Sequence, residues 1–354
     1  MAPYRVGIIG CGRSGSPERK QGQGLSHRHA VGYEASDKAR IVAAADIVKE
    51  YAKSYAEQHE IPAIYTDYRE MLAKESLDVV SIITWPHLHA EMTIAAATAG
   101  VKAVHCEKPM AMTNGDAREM VAVCKARGTQ LSIGHQRRFG NLFRTARHLV
   151  RNGSIGALKS MESCCANLFD WGTHWFDMQF FFNDQVPADW VIGQVDTRKP
   201  VQVFGAWMEN QGVSHFKFHN DVHGSLLTGD ERDGTPAHRL VGTGGVIELG
   251  VPDGAALRML NGDAAGWQTI EVRDGLHGGD AFTLAVLDVV DALAENREPE
   301  LAGRKALMAT ELIFATYESS RRRARIDLPL DADGNALLDM LQKTATQETC
   351  DETR

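Results

Sequence analysis

The sequence predicts an α/β protein that begins with a doubly wound parallel sheet and continues into an α+β domain with a large, mostly antiparallel sheet. Three observations support this fold class. Strand-like and helix-like segments alternate up to about residue 134, a glycine-rich turn follows the first of these strands, and short strand patterns separated by turns replace the alternation afterwards. We therefore expect two domains, residues 1–134 and residues 135–354.

Composition and charge limit the class of protein. The 354 residues are 44% hydrophobic and 24% charged, with a net charge of −8 and no dense block of Lys and Arg, so we expect no nucleic-acid partner. No apolar run approaches the roughly 20 residues of a membrane span, and no signal-peptide pattern opens the chain, so we expect a cytoplasmic protein. The six cysteines lack CxxC spacing, which predicts reduced thiols and no metal site.

The first predicted strand, Tyr4–Ile9, leads directly into a GxGxxG pattern formed by Gly10, Gly12 and Gly15. Such glycines allow a tight turn, bring backbone N–H groups close to a pyrophosphate, and leave room for a helix to pack on the sheet. The alternative is an ordinary glycine-rich turn. The position after a strand favours a dinucleotide-binding site.

A carboxylate at the end of the second predicted strand, Asp46, is the expected partner of the adenosine ribose. It would accept hydrogen bonds from the ribose hydroxyls and repel a 2′-phosphate, which favours NAD over NADP. Asp46 lies 31 residues after Gly15, whereas the usual spacing is about 20. The surplus is a polar loop at 16–26, which is either a flap over the cofactor or an uninvolved surface loop. Arg19 and Lys20 in this loop are the cations that would favour NADP.

The remaining elements of the first domain continue the alternation of strands and helices. We expect further strands at Ile41–Ala45, Asp78–Thr84, Val101–Cys106 and Gln130–Gly134, and helices at His27–Ala35, Val48–Gln58, from Pro86, at Glu91–Ala99, and from a Thr113 cap to Arg127.

The segment Glu107-Lys108-Pro109 directly follows one of these strands. Proline disfavours helical conformation in the residue before it, so Lys108 is expected at the strand end. In an open α/β sheet the carboxyl ends of the strands face the ligand crevice. Lys108 is therefore a candidate site residue, although a solvated turn is the common context of such a tripeptide.

The second domain is expected to combine a helix, a series of strands and two closing helices. The helix covers about Phe139–Asn152, the strands are Val201–Met208, Val213–Phe218, Gly224–Leu227, Val246–Leu249 and Thr269–Val272, the closing helices are Asp280–Asn296 and Gly303–Ser320, and the last strand is Ala324–Leu328.

One segment of this domain, Asn167–Met178, is rich in groups that handle protons. His174 and Asp177 are three residues apart and would share a helical face, and Asp170 precedes His174 by four residues. A general base needs a partner that orients it, and either carboxylate would serve. The alternative is a histidine packed between aromatic side chains.

In these motifs the sequence resembles the Gfo/Idh/MocA oxidoreductases, and the resemblance extends over nearly the whole chain. The residues that carry it are Gly7–Gly12, Glu107–Pro109, Asp170 with His174, Gly242–Gly245 leading into Glu248, and Tyr317–Ser319.

The resemblance implies a Rossmann domain followed by an open-faced α/β domain whose sheet forms homodimers or homotetramers. It implies a catalytic Lys108, an acid/base pair of Asp170 and His174, and Glu107 near the nicotinamide ribose. The resemblance also suggests that Gln136, Arg137 and Arg138 contact cofactor or substrate, and that Thr84, Trp85, His87 and His89 line the nicotinamide pocket. The family's common Thr-Pro-Asn is here Trp85-Pro86-His87. The indoles of Trp85 and Trp171 either stack on a sugar ring or belong to the core.

The expected reaction is hydride transfer between NAD and a secondary alcohol of a sugar, sugar derivative or cyclitol. His174 would take the hydroxyl proton, Lys108 would polarise the alkoxide, and Asp170 would orient the histidine or bind a neighbouring hydroxyl. The first alternative is an NAD-dependent glycoside hydrolase of the same family, which oxidises its substrate transiently, eliminates the aglycone, adds water and restores the carbon. A non-catalytic NAD sensor and a structural protein are the others.

Overall fold

The computed structural model divides the chain into two compact units. The first unit comprises residues 1–111, 116–136 and 280–306, and the second comprises residues 112–115, 137–279 and 307–354. The structure describes residues 2–12, 24–229, 235–252, 254–262 and 265–342.

The strands and helices are numbered separately in chain order. The strands are β1 (Tyr4–Ile9), β2 (Ala39–Ala45), β3 (Ala63–Tyr65), β4 (Val79–Ile82), β5 (Ala103–Cys106), β6 (Gln130–Ile133), β7 (Leu158–Cys165), β8 (Ala188–Asp196), β9 (Val201–Val203), β10 (Ala206–Met208), β11 (Gln211–Phe218), β12 (His223–Thr228), β13 (His238–Gly242), β14 (Gly245–Leu249), β15 (Leu257–Asn261), β16 (Gln268–Thr269) and β17 (Ile326–Asp327). The helices are α1 (Leu25–Glu34), α2 (Lys49–Gln58), α3 (Tyr68–Lys74), α4 (Pro86–Thr98), α5 (Asn114–Arg127), α6 (Asn141–Arg151), α7 (Gly172–Phe182), α8 (Ala281–Glu295) and α9 (Gly303–Arg322).

The first unit is built on a six-stranded parallel sheet in the order β3-β2-β1-β4-β5-β6. This is the strand order of doubly wound dinucleotide-binding sheets, so the predicted fold of this part is confirmed. The central strand β4 is buried along its whole length, as expected for a parallel strand covered on both faces. β1 and β6 begin where the sequence pattern predicts them.

Helix α8 belongs to the first unit, although the sequence places it after the expected domain boundary at residue 134. It packs closely on α1: a Cβ added at Gly32 would lie 2.5 Å from Val286 Cβ, and the Arg28 guanidinium lies 4.6 Å from the Phe282 ring centroid. Glycine at position 32 therefore lets the two helices approach. The chain leaves the first unit after residue 136 and returns to it at Asp280.

The second unit contains a nine-stranded sheet in the order β16-β15-β14-β13-β7-β12-β11-β8-β17. All neighbouring pairs are antiparallel except β7 and β12, which confirms the mostly antiparallel prediction. One face contributes residues such as Phe216 to a core that α7 and α9 also line. The other face leaves Ile192, Val213 and Leu227 more than 40% exposed, so the sheet is open-faced.

Several elements differ from the sequence prediction for local reasons. The predicted strand Val201–Met208 is a hairpin of β9 and β10, because Phe204 and Gly205 both adopt positive φ values. The prediction located neither β3 nor α3; β3 has only three half-buried residues and so carries little periodic signal. Helix α7 is buried at all eleven positions, so it has no solvent-exposed face whose polar residues would mark it as a helix in the sequence.

Among the described helices, none is both long and apolar enough to cross a membrane.

Candidate functional site

The loop after β1 requires glycine at two of the predicted positions. Gly10 has a φ of +91°, and a Cβ added there would lie 2.4 Å from the carbonyl oxygen of Ile83, so the two chain segments meet only without a side chain. Gly12 has a φ of +67°. The third glycine of the pattern, Gly15, and most of the 16–26 loop lie outside the described residues. The described part of the loop has the close backbone packing that a pyrophosphate-binding turn requires.

Asp46 lies at the carboxyl end of β2 and is bound to the same loop. Its Oδ2 accepts a hydrogen bond of 2.9 Å from the Cys11 N–H, and its Oδ1 accepts one of 2.9 Å from the Val48 N–H. A carboxylate oxygen has two lone pairs, so each oxygen keeps capacity for one ribose hydroxyl. The arrangement therefore fits the ribose of a dinucleotide.

The segment after β4 carries the four residues predicted to line a nicotinamide pocket. Trp85 is 56% exposed, and the edge of its ring faces His87, with the ring centroids 6.1 Å apart. Thr84 is half-buried. These three side chains are accessible to a ligand.

His89 differs from the rest of this segment because its ring is fully buried. Its Nδ1 lies 2.8 Å from the Pro109 carbonyl oxygen, and its Nε2 lies 3.1 Å from the Thr84 carbonyl oxygen. Burial lowers the pKa of the ring. Both nitrogens thus face backbone carbonyls, and His89 ties the segment after β4 to the segment that follows Lys108. Its contact with the cofactor stays a prediction.

Lys108 lies two residues beyond the end of β5 and is half-buried. Its backbone N–H donates a hydrogen bond of 3.1 Å to Oε2 of Glu107. Since β1, β2, β4 and β5 are parallel neighbours, topology brings Gly10, Asp46, Thr84 and Lys108 to one edge of the sheet. This edge is the candidate cofactor site.

Glu107 is 4% exposed, and its carboxylate contacts the buried histidine His29. Its Oε1 lies 2.9 Å from His29 Nε2, while His29 Nδ1 lies 3.2 Å from Ser81 Oγ, which in turn lies 2.8 Å from the Tyr33 hydroxyl. Burial alone would raise the pKa of Glu107, but the hydrogen bond and charge of His29, with His105 and Lys108, outweigh it and lower the pKa to about 2. Glu107 is therefore an ionised, fixed carboxylate beside Lys108.

Sequence reasoning missed this supporting network. His29 and Tyr33 lie four residues apart on α1 and so share a face, which is the one signal the sequence offered. The His105 ring stacks on His29 at 4.8 Å, and burial followed by His29 lowers the His105 pKa to about 3. Both rings are inside the unit, where a neutral His105 avoids a buried charge.

In the second unit, a turn stabilised by Asn167 positions Asp170 ahead of α7. The Oδ1 atom of Asn167 accepts hydrogen bonds from the N–H groups of Asp170 at 2.7 Å and Trp171 at 3.1 Å. The Leu168 N–H donates at 2.6 Å to Glu209, whose pKa burial raises. Asp170 is 7% exposed, and its turn is held by the side chains of Asn167 and Glu209.

His174 lies in the first turn of α7 and is 4% exposed. Asp177, three residues later, binds Arg138: its carboxylate accepts hydrogen bonds of 2.8 and 2.7 Å from the Arg138 guanidinium. Of the two carboxylates that could orient His174, Asp170 is thus the better candidate. Arg138 is 1% exposed, and its pairing with Asp177 anchors α7, while its contact with substrate stays a prediction.

Arg137, next to Arg138 in the 3₁₀ turn Gln136–Phe139, has a different environment. Its guanidinium carbon lies 4.7 Å from the Trp175 ring centroid and 5.5 Å from that of Trp171. Gln136, which opens the turn, is half-buried. The predicted residues Arg137, Asp170, Trp171 and His174 therefore belong to one region of the second unit.

No group of His, Cys, Asp and Glu in the described part of the chain could hold a metal ion.

Comparison with known proteins shows which family model the first part of the chain matches. Residues 4–135 match the model of the GFO_IDH_MocA family, an oxidoreductase family with an NAD-binding Rossmann fold. The chain is 33% identical over 153 residues to D-apiose dehydrogenase of Paraburkholderia graminis, covering 43% of this chain and 38% of the relative. It is 30% identical over 152 residues to myo-inositol 2-dehydrogenase of Thermotoga maritima, covering 43% and 42%. These matches thus span about two fifths of each relative's length.

Most of the chain is similar in fold to solved structures. An oxidoreductase from Agrobacterium radiobacter, solved in complex with NAD⁺, L-tartaric acid and magnesium, superposes with a TM-score of 0.76 over 92% of this chain and 98% of its own, at 18% identity. At this identity the likeness establishes the fold, and activity has to be argued from the residues.

Proposed function

Because residues 4–135 match the model of the Gfo/Idh/MocA family of oxidoreductases, we propose that the chain is an NAD-dependent dehydrogenase of this family. It transfers a hydride between the nicotinamide and a secondary alcohol of a sugar, a sugar derivative or a cyclitol. The observation that carries this proposal is the edge of the first sheet, where Gly10, Asp46 and Lys108 follow parallel strands. A dinucleotide loop and a cation at the same edge suit a reaction at a bound nicotinamide.

NAD fits the residues at this edge. Gly10 and Gly12 leave room for the pyrophosphate, Gly15 would complete the pattern, and Asp46 has lone pairs for the ribose hydroxyls. Thr84, Trp85, His87, Glu107 and Gln136 are the further residues that we expect around the nicotinamide half. NAD, when bound, supplies the carbon that accepts the hydride.

The chain's own residues handle the proton and the charge. In the proposed reaction His174 takes the hydroxyl proton, and Asp170 orients His174 or binds a neighbouring hydroxyl. Lys108 stabilises the negative charge that develops on the substrate oxygen. Glu107 keeps the backbone at Lys108 in place through the 3.1 Å hydrogen bond. The open face of the second sheet is the surface through which we expect copies of the chain to associate.

The decisive experiment is NADH formation by the Lys108→Ala variant with a panel of polyols, sugars, sugar acids and aryl glycosides. General acid–base and electrostatic groups contribute about 10²–10⁴-fold, so we expect kcat to fall by that factor while the Kd for NAD changes by less than about twofold. Lys125→Ala, which removes an exposed lysine of α5 in the same unit, is the matched control.

Full activity of the Lys108→Ala variant would disprove the catalytic assignment. Aglycone release that requires NAD but yields no net NADH would show that the protein is not a dehydrogenase but the NAD-dependent glycoside hydrolase of the alternative. Absence of NAD binding by the wild type would exclude both.

A further inference from the structure

The Arg137 side chain is a buried cation with a hydrogen-bond donor that no described residue accepts from. The residue is 6% exposed, and its Nε lies inside the protein without a hydrogen-bond acceptor among the described residues. Its Nη2 lies 3.3 Å from His277 Nδ1. Within the described residues no carboxylate forms an ion pair with it. This differs from Arg138, whose guanidinium is bound by both oxygens of Asp177.

Burying a guanidinium without a carboxylate is costly, and its neighbours offset only part of the cost. The faces of Trp171 and Trp175 contribute cation–π attraction, about 0.5–2 kcal/mol for each ring. Asp170 contributes attraction at longer range. Neither interaction accepts a hydrogen bond from the guanidinium, so buried N–H capacity is left over for another acceptor.

Arg137 remains a cation despite its burial. Burial lowers its pKa to about 10, opposed by Cys165 and Asp170, so it stays protonated at neutral pH. Burial, together with the Arg137 charge, lowers the pKa of His277 and lowers that of His238 to about 3. The two imidazoles are thus held neutral, and Arg137 is the positive charge of this cluster.

Resting on the proposed function, we propose that Arg137 binds a carboxylate of the substrate, so that the enzyme acts on an acidic sugar or polyol. A carboxylate matches the planar guanidinium with two hydrogen bonds, whereas a neutral hydroxyl would leave the charge uncompensated. A phosphate dianion fits less well, because the nearby Asp170 carboxylate would repel its second charge. The position of Arg137 beside Asp170 and Trp171 places this carboxylate next to the predicted acid/base residues.

The first test uses the wild-type protein saturated with NAD. Calorimetric titration compares D-glucuronate and D-galacturonate with D-glucose, D-galactose, the methyl ester of D-glucuronate and D-glucose 6-phosphate. Hydrogen bonds to a charged group contribute about 1.5–3 kcal/mol, so we expect at least one uronate to bind about 10–150-fold more tightly than its neutral counterpart. The ester has nearly the shape of the acid but no charge, so this arm needs no variant.

The second test compares Arg137→Gln with Arg151→Gln, which removes an exposed arginine of the same unit. We expect Arg137→Gln to abolish the preference for the uronate and to leave binding of neutral sugars within about twofold. Arg137→Lys, which keeps the charge but loses the planar fork, should retain an intermediate preference. The control should behave as the wild type.

The remaining outcomes separate the two proposals. An unchanged preference for the uronate in Arg137→Gln, with NADH formed by the wild type, would overturn the carboxylate site and leave the dehydrogenase intact. Arg137-dependent uronate binding without NADH from any compound would retain the site and reject the dehydrogenase. Preference for the sugar phosphate, or no binding of either uronate at millimolar concentration, would overturn the carboxylate site.

Discussion

The proposed preference for NAD over NADP depends on a single side chain, Asp46. Its two oxygens hold the Cys11 and Val48 N–H groups, so the carboxylate cannot turn away to admit a 2′-phosphate. We expect Asp46→Ala to raise the Kd for NAD about 10–150-fold, because hydrogen bonds to a charged group contribute about 1.5–3 kcal/mol.

Titration of the protein with NAD and NADP, followed by fluorescence, measures this change. Asp46→Asn keeps a hydrogen-bond acceptor but loses the charge. We expect it to bring the affinities for NAD and NADP closer together, with a smaller loss of NAD affinity than in Asp46→Ala. A wild-type protein that binds NADP as tightly as NAD would contradict the role of Asp46 and direct attention to Arg19 and Lys20.

Residue types alone could not separate ligand-facing side chains from structural ones. Arg137 and Arg138 are adjacent and chemically identical, yet Arg138 is neutralised by Asp177 and Arg137 is not, because Asp177 reaches the turn from α7. That proximity is a tertiary property. Lys108 was locatable from sequence because its proline and the preceding strand are local signals, whereas His29 reaches Glu107 across 78 positions.

At the scale of the element, the turn before α7 depends on one amide. Asn167→Ala would leave the buried N–H groups of Asp170 and Trp171 without their acceptor, at a cost of about 1–3 kcal/mol in the free energy of unfolding. We also expect lower kcat, because Asp170 would lose its fixed position. Urea unfolding and steady-state kinetics measure the two effects.

Asn183→Ala is the matched control for the Asn167 variant. Asn183 caps the other end of α7 and exchanges hydrogen bonds with Asn220. Its loss should lower stability without changing kcat. If the two variants reduce kcat equally, the effect belongs to α7 as a whole and the specific role of Asn167 fails.

The contact between α1 and α8 yields a second prediction for an element. A methyl group at position 32 would lie 2.5 Å from Val286 Cβ, so Gly32→Ala should destabilise the first unit by about 1–3 kcal/mol through overpacking. In a Val286→Gly background no Cβ remains at position 286, so the clash is relieved, and alanine's helix propensity at position 32 adds about 1 kcal/mol in favour of folding. The same Gly32→Ala change should then cost less or stabilise.

A double-mutant cycle on the free energy of unfolding measures this coupling. An effect of Gly32→Ala that is identical in both backgrounds would mean that the helices do not meet at this position.

At the scale of the whole molecule, the sequence predicted the class of each sheet but not the path of the chain between the units. Periodicity identified α8 as a helix, and nothing local showed that it returns to the first unit. The contact that decides its placement, Gly32 against Val286, joins residues far apart in sequence. Strand order in the second sheet was likewise not readable, since β7 pairs with β12 and β13 rather than with its sequence neighbour β8.

Both units contain a buried neutral histidine, which makes the stability of the whole molecule sensitive to acid. Burial lowers the pKa of His105 in the first unit and of His238 in the second to about 3. The unfolded chain takes up these protons below the ordinary histidine pKa of 6.5, whereas the folded chain does not. Each histidine therefore makes the free energy of unfolding fall by about 1.4 kcal/mol per pH unit as pH decreases from 6.5 toward 3.

Urea unfolding followed by circular dichroism between pH 6.5 and 5 tests this, above the range in which Glu107 titrates. The slope of the free energy of unfolding against pH should become smaller in His105→Gln and in His238→Gln, by about the contribution of one proton in each. This holds whatever effect the substitution has on stability at neutral pH. Phe143→Leu, whose ring centroid lies 6.1 Å from that of His238, should lower stability equally at every pH because it removes packing and no ionisable group. An unchanged slope in both histidine variants would mean that these rings take up protons in the folded protein, and that the interiors of the two units are open to water at these positions.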